Sequence, residues 1–339
     1  MTTARSRIVN PSVTRFYHVI SRCVRRAFLC GGGNKHRKDW LEARLQALVG
    51  IFAIDVCGYA IMDNHLHVLV RLSDGDEEQA WSPVEVVERW ARLFPPFGED
   101  ALGPRKISQE WITSRAANES WIAVARERLT NLGWFMKCLK EPLARKANRE
   151  DGCTGAFWEG RYRSVAILDE SSLLATAAYI DLNPVAAGMA EVPEESAHTS
   201  MRARVEHART ASCSPKREIH QNLKDETPRM VSSEDEHWLC PLGTESREGM
   251  IEGLDLGGYL NLVDWVARAQ RPGKKSLDER APLILERLGI ALEPLTRRVA
   301  LLVEKAKWVG TVAGERCSAR LAAMERGVPF VKNLWGALA

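Results

Sequence analysis

The sequence predicts an α+β fold with an antiparallel or mixed sheet, continued by a mainly α-helical C-terminal extension. Three observations lead there. Across the first 200 residues, β-branched and aromatic runs alternate with runs of helical apolar spacing, in the order β, α, β, β, α, α, β, α. A polar stretch, His207 to His237, then carries almost no apolar cluster. Beyond it the helical spacing returns. The expected organisation is one domain over 1–205, a polar linker or flexible loop over 206–237, and a helical C-terminal domain over 238–339.

The elements follow in order. "VTRFYHVISR" reads as a first strand and "KDWLEARLQALVGIF" as a helix through Trp40, Leu41, Leu45, Leu48 and Val49. "AIDVCGYAIM" and "HLHVLVRL" read as two strands turned at Asp63-Asn64. "SPVEVVERWARLF" opens with Ser82 as N-cap, Pro83 at the first helical position and Glu85 closing a capping box. Ser120 to Asn148 is helical, with Pro142 expected to kink or break it. Arg161 to Leu168 is strand-like, and "DESSLLATAAYIDLNP" is a short helix capped by Asp169 and stopped by Asn183-Pro184. The glycines of "CGGGNKH" lack the spacing of a phosphate-binding loop and read as a flexible loop. The later segments "YLNLVDWVARA", "APLILERLGI", "LTRRVALLVEKAKWVG" and "GERCSARLAAMERG" are helical.

The start, "MTTARSRIVNPSVTR", is basic and polar with no apolar run behind it, and no stretch approaches the ~18 apolar residues of a membrane helix. A cytoplasmic protein without a membrane partner is the expectation. The eight cysteines stand singly, which fits reduced thiols, and the set Cys213, His220, His237, Cys240 matches no common zinc spacing. Net charge is only +3, yet residues 1 to 38 hold nine Lys or Arg and no acid. A second basic set runs from Lys137 to Arg163. Such clusters suit a phosphate backbone, or else form solvated faces.

In a strand, residues two apart share a face, roughly 6.5–7 Å apart. His65 and His67 therefore face one way, and Leu66, Val68 and Val70 the other, toward a core. Two neutral imidazoles on one face can converge on a divalent ion, or can simply be solvated polar residues. Tyr179 and Asn183, four apart on a short helix, offer a hydroxyl and an amide oxygen for one site. The bland alternative is an interfacial tyrosine and a helix-ending asparagine.

"YHVISR", "GYAIMDNHLHVLV", "GWFMKCLK", "FWEGRYRS" and "AAYIDLNPVAAG" occur in this order. Together, over roughly Ser12 to Ser200, they resemble the HUH single-strand DNA transposases with one catalytic tyrosine, in particular the REP-associated branch. The resemblance implies a ferredoxin-like antiparallel sheet with helices packed on it, the HUH nuclease fold. It implies Tyr179 as nucleophile, and His65, His67 and Asn183 as ligands of Mg²⁺ or Mn²⁺. The reaction implied is metal-dependent endonucleolytic cleavage and strand transfer through a 5′-phosphotyrosine, on single-stranded or hairpin DNA, by a monomer or homodimer in a bacterial cytoplasm. The basic residues Arg15, Arg22, Arg25, Arg26, Lys137, Lys140, Arg161 and Arg163, with Trp158, are the expected DNA contacts. Two other readings share the motif: a relaxase or replication initiator, and a hairpin-binding protein without catalysis. The span Ser73 to Glu119 and everything beyond about Ser200 exceed the family's minimal form.

Overall fold

The computed structural model describes residues 9–96, 107–213, 237–243, 248–269, 275–278, 280–289 and 297–312. Its strands are β1 (Phe16–Arg22), β2 (Ile54–Ile61), β3 (His65–Leu72) and β4 (Arg163–Ile167). They form one antiparallel sheet in the order β2-β3-β1-β4. The helices are α1 (His36–Val49), α2 (Asp76–Ala80), α3 (Pro83–Leu93), α4 (Gln109–Ala116), α5 (Glu119–Thr130), α6 (Leu132–Glu150), α7 (Glu170–Asp181), α8 (Asn183–Ala186), α9 (Ser200–Cys213), α10 (Leu256–Arg268), α11 (Ile284–Leu288) and α12 (Arg297–Val312).

The period of two splits the sheet into two buried faces. On one, Tyr17, Val19, Tyr59, Ile61, Leu66, Val68 and Val70 join apolar residues of α1, α3, α5 and α6. On the other, Ala60, Leu69 and Ile167 join α7, α9, α10 and α12. The helices beyond residue 238 thus share one core with α7. Residues 214–236, most of the expected linker, lie outside the described residues, as does "GERCSARLAAMERG". The first part of that linker, His207 to Cys213, is the end of helix α9.

Local corrections have clear causes. The long helical run breaks at Asn131, not Pro142, because the Asn131 side chain accepts from the backbone of Gly133 and Trp134 and starts α6 afresh. Pro142 lies inside α6. It offers no N–H to the Cys138 carbonyl one turn back, and Arg44 Nε donates there instead at 3.1 Å. Ser82 caps α3 as expected, but the Glu85 carboxylate turns forward to Arg89 at 3.0 Å rather than back to the cap. Helix α7 ends at Asp181, and a short turn, α8, follows at Asn183-Pro184. The "CGGGNKH" glycines form a tight turn: a Cβ on Gly31 would sit 2.6 Å from the Asp63 side chain.

Candidate active site

Pairing sets the site. In β1, Arg22 lies opposite His65, Ile20 opposite His67 and His18 opposite Leu69, so all six share one face. In β4, Arg163 lies opposite Ile20 and joins them. Helix α7 packs across this face and brings Tyr179 to the histidines. Its ring meets His67 edge-on with centroids 5.8 Å apart, and His18 at 6.3 Å. His65 and His67 stand 4.8 Å apart in a T-shaped pair.

The histidines are positioned by defined hydrogen bonds. His65 Nδ1 lies 2.6 Å from Asn64 Oδ1. That oxygen can only accept, so Nδ1 carries the proton and the neutral ring keeps its lone pair on Nε2. The amide is held this way round because Asn64 Nδ2 donates to the Arg26 carbonyl at 3.1 Å. His67 is fully buried, and its Nδ1 lies 2.9 Å from His18 Nε2. When Nδ1 carries the His67 proton, its Nε2 is also a lone pair. That Nε2 is buried without a hydrogen-bond partner.

Electrostatics keep His18 and His67 neutral. Burial drives the His67 pKa well below its ordinary value, and the charges of His65, His18 and Arg22 add to this. His18 is pushed down to about 3, first by burial and then by His65. A buried nitrogen with no proton partner beside a second imidazole is what a divalent cation needs from its ligands. His65 and His67 can therefore offer two ring nitrogens to a divalent cation. Asn183 lies one turn beyond Tyr179, and its Nδ2 donates to the Tyr179 carbonyl at 2.9 Å. Its Oδ1 is left for another partner.

Tyr179 differs from the other tyrosines. Tyr17, Tyr59, Tyr162 and Tyr259 are buried, and Tyr179 alone of the five is half-exposed. Its helix is fixed two residues later by Asp181, which is 1% exposed. Asp181 accepts from Ser200 Oγ at 2.6 Å, from Met201 N at 2.9 Å and from the Tyr259 hydroxyl at 2.5 Å. Burial raises the Asp181 pKa against these hydrogen bonds.

The expected DNA contacts divide. Arg22, Arg161 and Arg163 come together with Ile20, Glu159 and Gly160 around a cavity of about 180 Å³ beside the histidine face. Burial, then Arg163 and Arg26, lower the Arg22 pKa, while Glu159 and Tyr179 oppose this. Arg25 and Arg26 are exposed on the loop after β1. Arg15 sits at the opposite end of β1, donating to the Leu72 carbonyl and paired with Asp74 and Glu248. Lys137 stacks over Trp134, and Lys140 donates to the Gly160 carbonyl. Trp158 is no open stacking platform: it is 9% exposed and its Nε1 donates to the Lys140 carbonyl. In the basic N-terminal run, Arg37 and Lys38 are buried in ion pairs with Glu150, Asp151 and Asp63. Residues 1–8 lie outside the described residues.

His18, Asn64 and Asp181 are the site residues that sequence reasoning missed. His18 stands in the quoted "YHVISR", two residues from Ile20 and four from Arg22, but its role needs β1 beside β3. A further cluster, Asp39, Glu42 and His198, brings ligand atoms within 4.8 Å of one another. Glu42 is already engaged there by His198 and the Tyr59 hydroxyl.

No family model matches the chain, and no curated protein matches it. Among solved structures, one of a REP-associated tyrosine transposase bound to a REP hairpin aligns over 57% of this chain and 79% of its own, at 11% identity and a TM-score of 0.34. Among the described residues no helix is long and apolar enough to cross a membrane.

Proposed function

We propose that this protein is a metal-dependent nuclease of the HUH single-tyrosine class, in which Tyr179 is the nucleophile. The strand order β2-β3-β1-β4, with β3 set between β2 and β1, supports the ferredoxin-like reading of the sheet. Within that class we place it with the REP-associated tyrosine transposases, acting on single-stranded DNA with hairpin structure. The observation that carries the proposal is the convergence of Tyr179, His18 and His67, with His67 Nε2 buried and unpartnered.

His65, His67 and Asn183 would hold Mg²⁺ or Mn²⁺, which when bound acts as a Lewis acid on the scissile phosphate. The chain supplies the rest. Asn64 and His18 hold the two imidazoles in the ligating tautomer. Asp181 fixes α7, so that Tyr179 is presented in one orientation. Arg22, Arg161 and Arg163 bind backbone phosphate beside the reacting one. The Tyr179 oxygen attacks phosphorus, the bond to the 3′ oxygen breaks, and the tyrosine proton ends on that leaving oxygen. The product is a 5′-phosphotyrosine and a free 3′-OH, and the retained phosphoester lets a second 3′-OH reverse the step without ATP.

The test is an SDS-resistant adduct between the protein and end-labelled hairpin DNA in Mg²⁺ or Mn²⁺. Formation by wild type and its loss with chelator and in the His65→Ala, His67→Ala double variant are expected. Binding without an adduct over many hairpins would favour a non-catalytic hairpin-binding protein.

A further inference from the structure

The loop leaving β1 combines strain, exposure and anchoring. Arg25 and Arg26 both adopt left-handed backbone, with φ of 54° and 56°. Non-glycine side chains avoid this region unless their surroundings impose it, and such strain gathers at functional positions. His198 is the one other non-glycine residue among those described with such a φ. Two residues after Arg26, Phe28 is 67% exposed, more than any other large hydrophobic among the described residues. It belongs to neither core.

The loop is pinned at both ends next to the candidate site. Cys23 N donates to the Asn64 carbonyl and Cys30 N to the Asp63 carbonyl, each at 2.8 Å. Val24 N donates to the Phe157 carbonyl at 2.9 Å, and the buried Arg37 donates to the Leu29 carbonyl at 3.1 Å. Asn64 binds the Arg26 carbonyl with its amide nitrogen and His65 with its amide oxygen. One side chain therefore ties the loop to the first histidine. What this arrangement presents to water is an exposed ring on an anchored backbone, with two cations before it.

Single-strand binding surfaces combine those parts, because every base has a face to stack and every linkage a charge to neutralise. We infer that the tip Val24–Leu29 is a single-strand DNA contact. Phe28 stacks on a nucleobase flanking the reacting phosphate, and Arg25 and Arg26 hold the adjoining backbone. This rests on the proposed single-strand DNA activity and adds to it a base contact beyond the catalytic groups. A partner protein on the same ring is the competing occupant, and the salt and cross-linking arms below separate the two.

The experiment uses the full chain and a short, fluorescein-labelled, mixed-sequence single-stranded DNA, read by anisotropy over a salt series. Phe28→Ala weakens binding about tenfold, and Phe28→Tyr restores it. The Arg25→Asn, Arg26→Asn double variant, chosen because asparagine tolerates positive φ, flattens the logarithmic salt dependence by about 1.4, or about 0.7 for each phosphate contact. In DNA carrying 5-iodouracil, light cross-links the base to the peptide that holds Phe28. If wild type binds and Phe28→Ala binds equally, with no cross-link at this peptide, the tip inference falls and the proposed activity stands. If wild type binds no single strand, both fall. Because Phe28 packs against neither core, its variants keep the wild-type melting temperature, and the cross-link decides the matter in unmutated protein.

Discussion

At the middle of β3 the two faces of the sheet are equally buried but differ in chemistry. Leu66, Val68 and Val70 look onto an apolar core, each 1% exposed or less. Across the same strand His67 is 0% exposed, with His18 at 3% beside it. Apolar burial needs no particular partner and stabilises at roughly 25 cal/mol per Å². A buried imidazole costs free energy unless its nitrogens are paired, so the second face needs His18, and still leaves His67 Nε2 unpaired. The first face is built for stability. The second gives some up, and the proposed metal chemistry explains what that free energy maintains.

Breaking the comparison at the reacting group has the largest effect. Tyr179→Phe should abolish the covalent adduct while melting close to wild type, since the ring remains against His18 and His67. On the apolar face, Leu66→Ala should lower stability by about 2–5 kcal/mol in urea unfolding without altering the chemistry of the folded molecules.

Single and paired changes at the histidines sharpen the contrast. His18→Leu alone strands His67 Nδ1 and should cost about 1–3 kcal/mol, whereas the His18→Leu, His67→Leu double variant should recover most of that loss while remaining inactive. Urea unfolding of the two proteins reads this directly.

Acid should act through the same pair. His18 titrates at about 3 in the fold, against ~6.5 in the unfolded chain. The unfolded chain therefore takes up the proton first. The stability conferred by neutral His18 is complete above pH ~6.5 and is lost as pH falls toward 3, at up to about 1.4 kcal/mol per pH unit. The difference in stability between wild type and His18→Leu should shrink across that window. On the apolar side the smallest effect belongs to Arg44→Ala, which releases the Cys138 carbonyl opposite Pro142 and should cost about 0.5–1.5 kcal/mol.

The parts of this arrangement legible in the sequence are those set by local periodicity. Alternation in "HLHVLVRL" separated His65 and His67 from Leu66, Val68 and Val70, and the caps at Ser82 and Asp169 were readable from short spacings. What could not be read depends on neighbours far away in the chain. His18 lies 49 residues from His67, and Asp181 lies 78 from Tyr259. Charge runs misled for the same reason: Arg37 and Lys38 look like DNA-facing cations until Glu150, Asp151 and Asp63 fold onto them. Trp158 looks like a stacking residue until it packs into the first core beside Cys23 and Phe157, with Lys140 over its ring. Pro142 looks like a helix end because nothing local announces Arg44.

The most direct measurement is the site of covalent attachment. Adduct formed on single-stranded hairpin DNA with Mn²⁺ is digested, and the nucleotide-bearing peptide is identified by mass spectrometry. A phosphodiester-linked nucleotide on Tyr179, and on none of the four buried tyrosines, is the predicted result. Attachment at any other residue, or adduct of undiminished yield from Tyr179→Phe, would contradict the assignment of this face of the sheet as the active site.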